Sequence, residues 1–411
     1  MYIKRKLEDA ILRNLNSPEI IAVVGPRQCG KTTMVNNLMQ GLEDSAVLTF
    51  DNQNMLAMFE KNTDAFISSY VKGNKYLFID EFQYAKNGGK ILKYIFDTQK
   101  IKIIISGSSV ADLTVRAIKY LVGRIFVFNL YPFDFEEFLL ARDANLLKLY
   151  VEYKGKINLM TQPSKSVKIS DIIHKRMLKY YEEFLLFGGY PRVVLEENYE
   201  QKKELLNIIY NTYFLREVRD ILGLIDDYKL NNLIKGLALQ IGNLVEYQDL
   251  SRLSGYSFAA LKKYLNFLEK TYVCHFVRPF YKNKRTEIVK NPKVYFFDTG
   301  LRNVIVNDFR SFNERTDSGA LLENGLACQL IKKNWEFNFW RDKKKNELDF
   351  VVALGNGKTI AVESKNYLKE TSRPATRVFQ KNYPEINIYH SYWQIEDKLK
   401  NSNFILPVYL Y

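Results

Sequence analysis

The sequence has few of the residues that build covalent and metal cross-links. Its 411 residues include three cysteines and three histidines. No pair of cysteines has the spacing of a zinc site or a redox motif, and the histidines have no partner pattern that indicates a catalytic or ligating role; the cysteines are Cys29, Cys274 and Cys328. The composition therefore argues against a disulfide-stapled secreted domain, and it predicts a reducing compartment.

Long apolar runs are also missing. No stretch approaches the roughly 20 apolar residues that a membrane-spanning helix needs. The first residues lead into an amphipathic polar helix rather than into the apolar core of a signal peptide. We therefore expect a cytoplasmic protein without a membrane span.

Acidic residues are outnumbered by basic ones. The chain has 46 Asp and Glu against 60 Lys and Arg, which gives a net charge of +14. An excess of this size fits a partner that carries negative charge, either a nucleic acid or an anionic membrane surface. A lysine-rich proteome with no such partner would give the same composition, so both readings stay open.

The order of apolar and polar segments predicts an α/β protein of several domains. A chain of this length exceeds a single core. Up to about residue 140, short apolar runs alternate with helical segments, which is typical of a parallel sheet; the predicted strands are Ile20–Val24, Ala46–Phe50, Tyr76–Asp80, Lys102–Ser106 and Ile125–Asn129. We predict an ATPase-like domain at 1–141, a polar insertion and helical lid at 142–225, a winged helix at 226–305 and a second α/β domain at 306–411.

The loop after the first strand carries a phosphate-binding motif. It matches Gly-x-x-x-x-Gly-Lys-[Ser/Thr] at every fixed position and lies between a predicted strand and a predicted helix; its residues are Gly25, Pro26, Arg27, Gln28, Cys29, Gly30, Lys31, Thr32 and, at the helix start, Thr33. The glycines let the backbone N–H groups turn toward phosphate oxygens, Lys31 reaches the β/γ-phosphates and the Thr32 hydroxyl ligates Mg²⁺. The motif predicts binding of ATP and ADP; the alternative is a chance match on a tight turn.

Two carboxylates end the third predicted strand. Asp80 would hold Mg²⁺ and Glu81 would polarise the attacking water. The next strand ends in hydroxyl side chains, and in an additional-strand ATPase it lies between the other two, so Ser106, with Ser108 close behind, is expected near the γ-phosphate or the water. Both features also occur by chance, as an acidic pair that caps a strand and as serines that follow one.

The C-terminal part of the sequence carries a second cluster of charged residues. Asp349 opens one strand, and Glu363 and Lys365 follow on the next, where period-two alternation puts them on the same face. With Glu323 on the preceding helix, this looks like the PD-(D/E)xK nuclease arrangement. Asp349 and Glu363 would then share a Mg²⁺, and Lys365 would orient the nucleophile. Leu348 stands where the motif has proline, and solvent-facing strand residues would explain the same pattern.

Basic residues cluster near the predicted winged helix. Two helices around Gly255 precede a β-prone segment, a basic loop and a further strand, which is the order of a winged helix. The loop contains 282–285, and a second basic run covers 343–345. Wing lysines would contact the phosphates of DNA and make binding salt-sensitive; the alternative is a solvated basic loop.

Taken together, these motifs resemble a known family. The segments GPRQCGKTT, LFIDEFQ, SGSS, the Gly-Arg pair at 123–124, Tyr-Pro-Phe at 131–133 and FGGYP at 187–191 are similar to prokaryotic AAA-type ATPases of the archaeal ATPase and signal-transduction NTPase clades. That resemblance implies a P-loop additional-strand ATPase domain, a helical and winged-helix middle and a restriction-endonuclease-like α/β C-terminal domain. It also implies that Gly189 and Pro191 close over the adenine, and that Arg124 or Arg116 senses charge in the transition state.

The resemblance leaves three functions open. The first is an ATP-driven enzyme that acts on DNA. The second is a nucleotide-switched regulator or scaffold in which the nuclease-like domain has lost catalysis and binds a partner. The third is a toxin-related or defence ATPase with the same parts. A homo-oligomer is possible in each, because many AAA-type rings take an arginine from a neighbouring subunit.

Overall fold

The structure is a computed structural model of the chain. It describes residues 1–108, 120–156, 170–211, 227–281, 283–354, 357–368, 374–395 and 404–405. The chain forms two compact units, Met1–Phe133 with Asn266–Tyr272, and Asp134–Leu265 with Val273–Tyr411. None of the helices in these described ranges is long and apolar enough to cross a membrane.

The first unit contains a five-stranded parallel sheet. Its strands are β1 (Ile20–Val24), β2 (Ser45–Thr49), β3 (Tyr76–Asp80), β4 (Lys102–Gly107) and β5 (Ile125–Asn129), in the order β2-β3-β4-β1-β5. Each observed strand lies within one residue of its predicted bounds. The order confirms that β4 lies between β1, which leads into the P-loop, and β3, which ends in the two carboxylates.

The core of this unit lies on both faces of the sheet. Alternate residues of β1 belong to different apolar clusters, with Ala22 on one face and Val23 on the other, as the two-residue period of a strand requires. This explains why the central strands are apolar throughout. The helices of the unit are Lys6–Arg13, Lys31–Gln40, Gln53–Lys61, Thr63–Phe66 and Gly88–Thr98, with a π-helical turn at Ile67–Val71 and a 3₁₀ turn at Phe82–Tyr84.

The second unit begins with a helical region and ends in a mixed sheet. Its helices are Phe135–Arg142, Ala144–Lys156, Asp171–Phe187, Pro191–Leu195, Tyr199–Ile208, Asp227–Leu239, Tyr247–Ser254, Lys284–Val289, Thr299–Val306, Ser318–Lys332 and Pro374–Asn382, with a 3₁₀ turn at Phe312–Glu314. The helix Phe258–Lys270 divides between the two units at Leu265. Of the predicted polar insertion, 144–156 is helical, and 157–169 lies outside the described residues.

A helix pair and a hairpin follow one another in the predicted order. Gly255, with φ +71°, ends the first helix in the left-handed region that favours glycine. The Ser257 hydroxyl then accepts a hydrogen bond from the Ala260 N–H at 3.3 Å, as an N-cap residue does at the start of a helix. The strands β6 (Cys274–Val277) and β7 (Lys293–Phe296) pair antiparallel. The prediction of a plain basic loop between them is wrong, because part of it forms the helix Lys284–Val289.

The C-terminal sheet of this unit has parallel and antiparallel parts. Its strands are β8 (Phe337–Arg341), β9 (Glu347–Leu354), β10 (Lys358–Leu368), β11 (Asn387–Ile395) and β12 (Phe404–Ile405), in the order β12-β11-β10-β9-β8. The pairs β8–β9 and β9–β10 are antiparallel, whereas β10–β11 and β11–β12 are parallel. The chain is therefore an α/β protein with a purely parallel sheet in one unit and a mixed sheet in the other.

Candidate functional site

The P-loop connects the end of β1 to the helix Lys31–Gln40. Gly25 lies so close to the end of β5 that a Cβ built on it would be 2.0 Å from the Leu130 carbonyl oxygen. Gly30 has φ +96° and forms the N-cap of the helix, a conformation that glycine adopts without a steric penalty. Both fixed glycines of the motif are thus required by the backbone, and the loop ends at a helix N-terminus that favours anions.

The two polar side chains of the motif lie at this helix start. The Lys31 ammonium donates to the carbonyl oxygens of Gly25 and Pro26 at 2.8 and 2.9 Å, so the side chain arches back over the loop. The Thr32 hydroxyl donates to Asp80 Oδ2 at 2.6 Å. Ser106, at the end of β4, donates its hydroxyl hydrogen to the other oxygen of the same carboxylate. The structure therefore brings the ends of β3 and β4 and the start of the helix Lys31–Gln40 together at Asp80.

The donor set at this point fits a magnesium ion. Mg²⁺ prefers oxygen ligands, and P-loop sites hold it through few protein ligands, with waters and phosphate oxygens completing the shell. Thr32 supplies a hydroxyl and Asp80 a carboxylate, and their 2.6 Å contact shows that both can reach one point. The fold thus brings together Thr32 and Asp80, the two residues predicted to hold Mg²⁺ at the P-loop.

Glu81 follows Asp80 in an uncommon backbone conformation. Its φ of +53° lies in the left-handed region, which turns its side chain away from the direction of the strand. Burial raises the pKa of its carboxyl group, against the opposing effect of Lys31. Gln83 donates from Nε2 to Glu81 Oε2, and the same nitrogen lies 3.5 Å from the Ser108 hydroxyl. Gln83 is thus a site residue that sequence reasoning missed, although it belongs to the quoted LFIDEFQ segment.

The remaining residues of the P-loop differ in exposure. Pro26 and Cys29 are buried, Arg27 and Gln28 are half-buried, and Thr33 is exposed. The Cys29 thiol donates to the Leu130 carbonyl oxygen at 3.2 Å. The loop is therefore packed on one side by its own apolar residues and open on the other at Thr33.

Arg5 is a second residue that the sequence pattern did not reveal. Its guanidinium donates to the Cys29 carbonyl oxygen at 2.8 Å and to the Tyr131 carbonyl oxygen at 2.6 Å. It also lies 4.8 Å from the centre of the Phe133 ring, and only 4% of its surface is exposed. Arg5 therefore ties the P-loop to the segment after β5, and no local spacing in the sequence could have signalled a contact between residues so far apart.

We predict that Arg5→Met weakens ATP binding. The change leaves the carbonyl oxygens of Cys29 and Tyr131 without their charged donor. One such hydrogen bond stabilises the folded loop by about 1.5 kcal/mol. Because the loop must hold this conformation to bind ATP, we expect the Kd for ATP to rise by about tenfold. Titration with a fluorescent ATP analogue measures the effect. Arg13→Met is the matched control, since Arg13 is an exposed arginine of the adjoining helix. An unchanged Kd in Arg5→Met would contradict the assignment.

Arg124 is not brought to the P-loop. It precedes β5 and its carbonyl oxygen accepts from the Ile20 N–H, which places it at the edge where the parallel strands begin. The P-loop lies at the opposite edge, and Arg124 forms a partly exposed ion pair with Asp97 at 3.1 Å. A role for Arg124 in hydrolysis would therefore require the phosphates of another subunit. Arg116 lies outside the described residues.

The Gly-Gly-Tyr-Pro segment belongs to the second unit. The Gly189 N–H donates to Asp298 Oδ2 at 2.8 Å, and Pro191 is the first residue of the helix Pro191–Leu195, a position that suits proline. A Cβ on Gly188 would lie 2.0 Å from Asp298 Oδ1. The contacts of this segment within its unit are therefore explained by packing against Asp298.

The predicted C-terminal site residues form hydrogen bonds and ion pairs with neighbouring groups of the protein. The Asp349 carboxylate accepts a hydrogen bond from the Ser364 N–H at 2.6 Å, and Lys365 pairs with Glu363 at 2.9 Å. Glu323 accepts from Lys293 at 2.9 Å and from the Tyr295 hydroxyl at 2.5 Å. Sequence reasoning gave Lys293 no place in this cluster.

Burial and charge shift the pKa values of this cluster in opposite directions. Burial raises the pKa of Glu323 to about 7, although Lys293 opposes the shift. Burial alone would lower the pKa of Lys293, but the carboxylates of Glu323, Asp349 and Glu347 outweigh it, and the net shift is upward. Lys293 is therefore held as an ammonium ion.

A divalent metal does not fit these residues as they lie. Within the described ranges, no group of three or more His, Cys, Asp and Glu side chains is arranged to hold a metal ion. The point between the carboxylates is taken by the Lys293 ammonium. The P-loop site and the C-terminal cluster thus differ in the cation for which their carboxylates are placed.

Comparison with protein families finds a match for the range that contains the P-loop site. Residues 17–139 match the AAA domain, and this range contains the P-loop, Asp80, Glu81 and Ser106. This range is therefore similar to an AAA-type P-loop ATPase domain. Residues 178–311 and 318–411 match two domains of unknown function, DUF8612 and DUF4143. The AAA domain thus accounts for the nucleotide site, and both matches of unknown function fall outside it.

Relatives of similar organisation occur in distant organisms. An uncharacterized protein of Methanocaldococcus jannaschii is 26% identical over 375 residues, which cover 88% of this chain and 77% of the relative. An uncharacterized protein of Haemophilus influenzae is 23% identical over 355 residues, which cover 81% of this chain and 79% of the relative. The similarity therefore extends well beyond the AAA domain in both cases.

Solved structures resemble the chain only loosely. The Aeropyrum pernix ORC2 protein in its ADP form has a TM-score of 0.35 at 12% identity, covering 76% of this chain and 96% of its own. The Pif1 helicase of Candida albicans has a TM-score of 0.25 at 13% identity, covering 44% of this chain and 48% of its own. TM-scores at this level support no conclusion about function.

Proposed function

We propose that the protein binds ATP with Mg²⁺ at its P-loop and hydrolyses the bond between the β- and γ-phosphates. The observation that carries the proposal is the meeting of Thr32, at the start of the helix after the P-loop, with Asp80 and Ser106, at the ends of the adjacent strands β3 and β4. A bound Mg²⁺, held by Thr32 and Asp80, would neutralise negative charge on the phosphates. Such convergence at the carboxyl edge of a parallel sheet is the usual location of a nucleotide site.

The residues of the AAA domain divide the work of hydrolysis. Lys31 leaves the two carbonyl oxygens that it now contacts and binds the β/γ-phosphates, while the loop N–H groups hold the remaining oxygens. Glu81 accepts the proton of the attacking water, because it is the carboxylate next to the metal-binding one and is not itself assigned to the metal. Gln83 orients Glu81, and Ser106 fixes Asp80.

We further propose that DNA is the partner on which the nucleotide acts. The helix pair followed by the β6–β7 hairpin supports a winged helix, and Lys262 and Lys263 are exposed on its second helix. Arg285 and Lys290 are exposed between the hairpin strands. Surfaces of this kind bind phosphates through counterion release.

The hydrolysis proposal is tested by phosphate release from the full chain with Mg²⁺, with and without duplex DNA. We expect ATP-dependent release by the wild type, an increase on addition of DNA, and no release above background by Lys31→Met. Release that persists in Lys31→Met would overturn the assignment of the site. An unchanged rate with DNA would count against coupling to DNA but not against hydrolysis.

The DNA proposal predicts a salt dependence. We expect the slope of log K against log salt to become less negative by about 2 in the double variant Lys262→Ala/Lys263→Ala, because each lysine on a phosphate contributes about 0.9 to the slope. Fluorescence anisotropy of a labelled duplex at several salt concentrations gives both slopes. The variant Lys343→Ala/Lys344→Ala is the comparison for the second basic run. A wild type that binds no DNA rules out this partner. Binding without a salt dependence rules out the proposed contacts between these lysines and the DNA phosphates.

A second candidate is a nucleotide-switched regulator whose C-terminal unit binds without cutting. It is favoured by the ion pairs that engage Glu363 with Lys365 and Glu323 with Lys293. The mixed sheet of β8 to β12 would then be a restriction-endonuclease-like core that serves as a binding module. DNA that binds and stays intact in the presence of Mg²⁺ or Mn²⁺ supports this candidate over a nuclease.

A further inference from the structure

A buried lysine lies at the centre of the C-terminal carboxylates. Lys293 Nζ is 2.9 Å from Glu323 Oε1, 2.7 Å from Glu347 Oε1 and 4.0 Å from Asp349 Oδ1. Its side chain is 1% exposed. The three carboxylates come from a helix and from β9, whereas the lysine comes from β7, so the four charges meet only through tertiary packing.

The ammonium and a divalent cation would compete for the same place. A Mg²⁺ ion needs carboxylate oxygens at about 2.0–2.1 Å, and Ca²⁺ needs them at about 2.3–2.6 Å. The Lys293 nitrogen already lies within hydrogen-bond distance of two of the three carboxylates. A second positive charge there would meet strong repulsion, because a buried pair of like charges is poorly screened.

The carboxylates of the cluster also accept hydrogen bonds from protein donors other than Lys293. Glu323 Oε1 also accepts from the Tyr295 hydroxyl at 2.5 Å. Glu347 Oε2 accepts from Arg341 at 3.0 Å, and Asp349 Oδ2 accepts from the Ser364 N–H at 2.6 Å. At least one oxygen of each of these three carboxylates therefore already accepts a hydrogen bond from a protein donor other than Lys293.

We infer that Lys293 is the permanent counter-ion of this cluster and takes the place that a divalent metal holds in a nuclease. The C-terminal unit then folds and binds its partner without metal, and it does not cleave phosphodiesters through a metal-activated water. Lys365, paired with Glu363, compensates the remaining carboxylate. The inference does not depend on the nucleotide site, which lies in the other unit.

Manganese binding and thermal unfolding test the inference on the full chain without nucleotide. The background variant Asp80→Asn removes the carboxylate of the P-loop site. We expect no tightly bound Mn²⁺ by electron paramagnetic resonance, and the same melting temperature in EDTA and in Mn²⁺. Tryptophan fluorescence follows this unit, because all three tryptophans belong to it; they are Trp335, Trp340 and Trp393.

Removal of the lysine reverses the expectation. Lys293→Met leaves carboxylates without their counter-ion, so we expect a lower melting temperature that rises again with Mn²⁺, together with a new Mn²⁺ signal. Lys381→Met is the matched control, since Lys381 is an exposed lysine of the same unit outside the cluster, and it should show neither effect. Should Lys293→Met not fold, Asp349→Asn decides the matter.

Two results would overturn the inference. One is a Mn²⁺ ion bound to the Asp80→Asn background that is lost when Asp349→Asn is added. The other is a Lys293→Met variant that folds with wild-type stability and gains no affinity for Mn²⁺. Failure of ATP hydrolysis would leave these readouts unchanged, so the two proposals fail separately.

Discussion

Glu81→Gln is expected to abolish most ATP hydrolysis while ATP binding persists. Glutamine keeps the size and the hydrogen-bonding capacity of the side chain but cannot accept a proton, and a general base contributes about 10²- to 10⁴-fold to a rate. Because Glu81 neither touches Thr32 nor belongs to the P-loop, the Kd for ATP should change little. Steady-state phosphate release and equilibrium binding of ATP measure the two quantities separately.

The pH dependence of the wild type adds a second readout. Burial raises the pKa of Glu81, and a base is lost as its carboxyl group becomes protonated. The rate should therefore fall with falling pH at a higher pH than an ordinary glutamate would give. Glu43→Gln is the control, because Glu43 is exposed in the same unit. Normal turnover in Glu81→Gln would remove Glu81 from the mechanism.

Gly188→Ala is expected to destabilise the second unit strongly. Gly188 has φ +73°, and its added Cβ would lie 2.0 Å from Asp298 Oδ1. Asp298 cannot retreat, since its carboxylate accepts from the N–H groups of Gly189 and Leu301 at 2.8 and 3.0 Å. Left-handed backbone and overpacking together should cost about 2 to 5 kcal/mol. The midpoint of urea unfolding, followed by tryptophan fluorescence, measures this loss.

Gly357→Ala separates the steric effect from the conformational one. Gly357 belongs to the same unit and has φ +80°, but nothing lies within 4 Å of its added Cβ. Only the cost of the left-handed backbone applies there, about 1 to 2 kcal/mol. Equal losses in both variants would mean that the contact between Gly188 and Asp298 contributes nothing.

The sequence predicted the parallel sheet because the signals for it are local. The strands β1, β3 and β5 begin and end at the predicted residues, since each is a short apolar run bounded by polar or turn-forming residues. The P-loop follows from the same kind of signal, as its glycines are required by the backbone at Gly25 and Gly30. Thr32 and Asp80 could be paired from sequence because carboxyl ends of parallel strands share one edge.

Contacts between distant segments escaped prediction. Arg5 reaches the P-loop from a segment before β1. The family resemblance implied that Arg124 or Arg116 senses charge in the transition state, and the structure places Arg124 at the edge of the sheet opposite to the P-loop. A one-dimensional pattern gives the position of a residue along a strand, but it does not say which backbone a long side chain will reach.

The C-terminal cluster shows most clearly what the sequence determines and what only the tertiary structure determines. The sequence by itself determined that Asp349, Glu363 and Lys365 lie on neighbouring strands, because strand periodicity fixes the face of each residue. It could not determine which positive charge would neutralise the carboxylates. Only the tertiary structure decided that, by packing β7 so that the Lys293 ammonium lies among them. Buried charges must be paired, and the partner is chosen by which side chain the fold brings within reach.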